Sequence, residues 1–114
     1  MTGAILKISP EKSIELRYTA RRAQRLEAEL DSSLLMGLSA IDRVGVLAKY
    51  IAFGADISLE QAYDAFDEYV GNGGSVNGAA DVVVKALENG GFISRDAVNA
   101  AKKVKDQLLK AQRS

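Results

Sequence analysis

Apolar and polar residues alternate one by one near the start of the chain, then switch to helical spacing from Thr19 onward. Ile14, Leu16 and Tyr18 fall on one side of an extended segment and Glu15 and Arg17 on the other, the period of a half-buried strand. Ala4-Ile5-Leu6-Lys7-Ile8 is also rich in β-formers. Ser9-Pro10-Glu11-Lys12 lies between the two, and its proline presets a turn. A β-hairpin over residues 4–18 is predicted. An isolated hairpin is only marginally stable in water, so the Ile14, Leu16 and Tyr18 face must lie on helices.

Thr19 is placed to cap a helix whose apolar positions Ala23, Leu26 and Leu30 share a face, with arginines opposite. Asp31-Ser32-Ser33 interrupts it, and Leu34-Leu35-Met36-Gly37-Leu38 reads as a short apolar turn or half-helix. Ser39 is read as the cap of a helix carrying Val44, Leu47, Ala48, Ile51 and Ala52, flanked by Tyr50 and Phe53 and ended by Gly54. That segment is apolar almost all round, the pattern of a central buried helix.

Ser58 with Gln61 three residues on makes a capping box, and Ile57 is placed to staple it. Leu59, Ala62, Tyr63, Phe66, Tyr69 and Val70 follow as a broad apolar stripe, stopped by Gly71-Asn72-Gly73-Gly74. Ser75 begins another helix through Val76, Ala80, Val83 and Leu87, which Gly90-Gly91 ends. Ser94 begins the last. Its residues Ala97, Ala101, Val104, Leu108 and Ala111 form a short heptad seam, open to a homo-oligomer, although docking on its own domain is the simpler reading.

The expected architecture is mainly α (α+β). A single domain over residues 1–114 has a β-hairpin (4–18), a helical core (19–92) and a terminal helix (94–112), about five helices in all. Tyr63, Phe66, Leu47, Ile51, Val83 and Leu87 are expected in the core.

Composition narrows function by exclusion. Hydrophobic residues make up 47% and charged residues 26%, a balance that argues for a folded chain rather than disorder. Fifteen basic and fifteen acidic residues cancel, which leaves no global pull toward nucleic acid or anionic membrane. Cysteine and histidine are both absent. Disulfides, thiolate nucleophiles, the usual transition-metal ligands and the usual general base go with them. No apolar run approaches a membrane span, and Met1-Thr2-Gly3 lacks the basic start of a signal peptide. A soluble cytoplasmic protein without enzymatic activity, cofactor or metal is expected.

Three groupings could carry chemistry. Arg17, Arg21, Arg22 and Arg25 could contact phosphates, as in a small nucleic-acid-binding regulator using a basic helix. A solvated face paired with Glu27 and Glu29 fits a neutral chain better, and no aromatic is interleaved for stacking on bases. Glu60, Asp64, Asp67 and Glu68 make an acidic stripe along one helix. Helical spacing makes it convex, so a solvated face or a docking surface for a basic partner is preferred to a cation site. Together with Tyr69 these four residues are the candidate partner-binding set. Gly73-Gly74 and Gly90-Gly91 are followed by neither Lys-Ser nor Lys-Thr, and are read as helix stops rather than phosphate loops.

Taken together, the segments resemble the tail assembly chaperones of long-tailed bacteriophages and prophages. The resemblance runs over residues 13–92. It is carried by Ile14-Glu15-Leu16-Arg17-Tyr18-Thr19, Leu26-Glu27, Ser33-Leu34-Leu35 and Val46-Leu47-Ala48-Lys49-Tyr50-Ile51-Ala52. Ile57-Ser58-Leu59-Glu60-Gln61-Ala62-Tyr63-Asp64, Phe66-Asp67-Glu68-Tyr69 and Ala86-Leu87-Glu88-Asn89-Gly90-Gly91-Phe92 complete it. Family members often carry a tryptophan in the middle helix. Here there is none, and Tyr50 or Phe53 would fill that space. The helix expected after Ser94 also extends beyond the usual end. The resemblance implies a partner protein that coats the long helical tape measure protein and keeps it soluble until tail-tube subunits polymerise around it.

Overall fold

The computed structural model describes residues 3–94 and residue 96. Strands β1 (Ala4–Ser9) and β2 (Lys12–Leu16) pair antiparallel, Ala4 opposite Leu16 and Leu6 opposite Ile14. A bulge between Lys7 and Ser9 absorbs the tight turn at Pro10-Glu11. The alternation does what its period requires. Ala4, Leu6, Ile8, Leu16 and Tyr18 point into the core, while Ile5 on the other face is about half exposed.

Helix α1 (Ala20–Leu30) starts where the period changes, and the Thr19 hydroxyl accepts the Arg22 amide proton at 3.2 Å. It ends on Asp31 in the left-handed conformation, φ 53°. Helix α2 (Leu34–Gly37) is a single turn capped by the Ser33 hydroxyl. Its first amide, that of Leu34, donates to the Glu27 carboxylate at 3.1 Å.

The expected cap at Ser39 is not formed. Residues Leu38–Ala40 are a 3₁₀ turn, and the Ser39 hydroxyl donates backward to the Met36 carbonyl at 2.7 Å. Ser39 therefore lies in the turn before the helix, four residues ahead of its N-cap position. Helix α3 (Val44–Ala55) starts instead after Arg43, with no side-chain cap. Gly54 lies inside α3 rather than ending it. A Cβ there would sit 2.9 Å from the Tyr18 ring, so the missing side chain makes room for the hairpin.

As its all-round apolarity predicts, α3 is central. Leu47, Ala48, Tyr50, Ile51, Ala52 and Gly54 are buried, and α1, α4, α5 and β2 all pack against it. Two tyrosines tie this centre to its surroundings. The Tyr18 hydroxyl donates to the Tyr50 carbonyl at 2.6 Å, and the Tyr50 hydroxyl donates to the Leu34 carbonyl at 2.7 Å. The hairpin, α3 and α2 are thereby linked by buried hydrogen bonds.

Helices α4 (Leu59–Gly71) and α5 (Val76–Asn89) complete the described fold. The capping box forms in both directions: Gln61 N–H to Ser58 Oγ at 3.1 Å, and Ser58 N–H to Gln61 Oε1 at 3.0 Å. Ser75 caps α5 through Gly78 N–H at 3.0 Å. Ala79, Val83, Val84, Ala86 and Leu87 line the buried side of α5, against α3 and β1. The architecture is therefore five helices with an N-terminal two-stranded hairpin packed on them, among the described residues. The helix and heptad seam expected over 94–112 lie outside the described residues, apart from Ser94 and Asp96.

Candidate functional site

Reading around α4 at about 3.6 residues per turn sorts its side chains into three neighbouring arcs. Ala65, Ala62 and Phe66 are buried, with the half-buried Tyr69 among them. Leu59, Val70 and Tyr63 come next. They are 40%, 46% and 39% exposed, too open for core positions. Asp67, Glu60, Asp64 and Glu68 complete the turn, all exposed.

The apolar stripe is thus wider than the surface available to cover it. Tyr63, expected in the core, belongs to the exposed arc, and its hydroxyl lies against Gly45 of α3, which has no side chain to cover it. A Cβ on Gly45 would lie 3.5 Å from the Tyr63 hydroxyl. Val44, next to Gly45 in sequence at the start of α3, is itself 43% exposed. Leu47, Ile51, Phe66, Val83 and Leu87 are buried as expected.

The candidate residues divide accordingly. Glu60, Asp64 and Asp67 flank the exposed apolar arc and pair with no cation among the described residues. Glu68 lies furthest round and pairs with Lys12 of β2 at 3.5 Å. Tyr69 stands apart. Its ring packs 6.1 Å from Phe66, and the Asn72–Gly74 backbone folds across it. Gly74 N–H bonds the Tyr69 carbonyl at 2.9 Å, and a Cβ on Gly74 would enter the ring itself. Gly73-Gly74 thus turns the chain over an aromatic ring, with Gly73 at φ 94°.

The arginine group is split as well. Arg22 Nη1 donates to the Arg17 carbonyl at 2.8 Å and the Gly54 carbonyl at 3.4 Å, while Nη2 pairs with Asp56 at 3.5 Å. It is spent on the C-terminal end of α3, where a cation also meets the helix dipole favourably. Glu27, expected as an arginine partner, instead caps α2. Arg17, Arg21 and Arg25 remain exposed.

Among the described residues no cluster of acidic side chains has the geometry of a metal site, and no helix is long and apolar enough to cross a membrane. The depressions lined by described residues alone include shallow, open ones. One lies between the hairpin turn and the α4–α5 loop, lined by Lys7, Pro10, Tyr69 and Gly74, and it brings together no pair of catalytic groups. The chain matches no protein-family model, no curated protein and no solved structure.

Proposed function

We propose that this chain is a cytoplasmic, non-enzymatic assembly chaperone that binds the tape measure protein of a phage or prophage tail and holds it soluble. The motif-by-motif resemblance over residues 13–92 supports the family. The observation that carries the reading is the exposed apolar arc Leu59, Tyr63 and Val70, edged by carboxylates. A tape measure presents long apolar helical faces. An apolar arc on a rigid helix can cover such a face in helix-on-helix fashion. The tail-tube protein is a second partner this role brings near.

Co-expression tests the proposal. The tape measure protein of the same phage or prophage should stay soluble and co-purify with it, and should precipitate without it. A tape measure that is equally insoluble in its presence would end the reading. The alternative, a regulator binding duplex nucleic acid through Arg17, Arg21 and Arg25, predicts a salt-dependent mobility shift with DNA. Arg22, tied to α3, is not available to it.

A further inference from the structure

The exposed surface of α4 is asymmetric, and the asymmetry says which helices it accepts. Leu59, Tyr63 and Val70 form the apolar arc. Glu60, Asp64 and Asp67, at intervals of four and three, form a carboxylate rail along one edge of that arc only. The opposite edge is the buried seam of Ala62 and Phe66 against the rest of the fold. A helix laid along the apolar arc therefore meets the α4 carboxylates on one flank and the buried seam of α4 on the other.

We infer that α4 docks an amphipathic helix whose apolar seam is edged on one side by Lys or Arg at intervals of three and four residues. Charge complementarity is the argument. Among the described residues no cation pairs with Glu60, Asp64 or Asp67, and an incoming row of positive charge would complement them. The apolar contact supplies affinity, and the one-sided charge fixes which way round the partner lies. The inference deepens the chaperone reading and rests on it only for the class of partner, a long helical protein.

The test uses the full chain and two synthetic helical peptides with identical leucine seams. One carries lysines along a single flank, and the other carries glutamates at the same positions. The lysine peptide should bind, shift the amide resonances of residues 59–70, and bind about tenfold tighter than the glutamate peptide, the size expected of two or three exposed ion pairs. Asp64→Lys with Asp67→Lys should reverse the preference, with circular dichroism confirming the fold. A merely hydrophobic surface would bind both peptides alike, and that result overturns the inference. Resonance shifts confined to α1 overturn it too. So does a full chain whose 59–70 surface is already covered by a second copy or by its own residues 95–114, seen as no peptide binding at any concentration. The two proposals fail separately. Capture of the tape measure without charge preference removes the inference alone, whereas charge-reversible peptide binding without capture removes only the chaperone reading.

Discussion

Tyr18 and Tyr50 carry the hydrogen bonds that join the hairpin to α3 and α3 to α2, and their burial has a measurable consequence at high pH. Loss of solvation pushes the Tyr18 phenol well above its ordinary value, with the neighbouring Tyr50 adding to the shift. Burial likewise raises Tyr50, with the Glu27 carboxylate adding to it. A phenol raised in the folded state keeps its proton where the unfolded chain has lost it. Its contribution to stability is complete below about pH 10 and declines as the pH rises further. Each tyrosine should steepen that decline by about 1.4 kcal/mol per pH unit. Denaturant titrations across this range, compared with Tyr18→Phe, should show a shallower slope for the variant. An unchanged slope would mean the phenol is solvated. At neutral pH, Tyr50→Phe should cost only about 1 kcal/mol, since the Leu34 carbonyl keeps the Leu38 amide as a donor. Phe66→Ala is a different kind of loss. Its ring is buried, and the cavity should cost about 3–5 kcal/mol by the same titration.

At the scale of elements, the caps show how local chemistry sets boundaries. Ser58→Ala removes one half of a reciprocal box and should lower stability by about 1 kcal/mol in thermal or denaturant unfolding, with α4 still formed. A loss below about 0.3 kcal/mol would mean water replaces the cap. Thr19, Ser58 and Ser75 were legible in the sequence because each precedes a change of period and has no competing partner. Ser39 was not, because residues 38–40 tighten into a 3₁₀ turn of their own and α3 begins only after Arg43. Gly54 misled for a related reason. Glycine stops a helix or admits a neighbour, and only the packed Tyr18 ring distinguishes the two. The candidate site was half legible. A charge stripe announces exposure wherever it lies, so Glu60, Asp64 and Asp67 could be assigned to solvent directly. Apolar residues carry no such label. Leu59, Tyr63 and Val70 resemble core positions until the width of the neighbouring α3 is known, and half-buried Tyr69 resembles an exposed aromatic until the glycine loop is seen to cross it.

For the whole molecule, stability and partner capture should separate along the arcs of one helix. The absence of cysteine and histidine, and of acidic clusters with metal geometry among the described residues, predicts that a chelator leaves the melting temperature unchanged. A clear drop would reveal an ion held at the acidic rail. The sharper separation lies between Phe66 and Tyr63, three residues apart on α4 yet facing the core and solvent respectively. Phe66→Ala should weaken the fold and diminish capture only as far as it unfolds the chain. Tyr63→Ala removes a ring that is already part-exposed, so it should cost about 1 kcal/mol or less of stability. If Tyr63 sits at the centre of a docked helix, the same change should weaken capture of the tape measure by about 2 kcal/mol, roughly thirtyfold, as for other aromatic anchors. Paired measurements decide it: melting of each variant alone, and titration of each against a soluble tape measure fragment. Equal capture by Tyr63→Ala and the parent chain would show that the exposed arc of α4 takes no part in binding. The exposed arginines of α1 would then be the surface to test next.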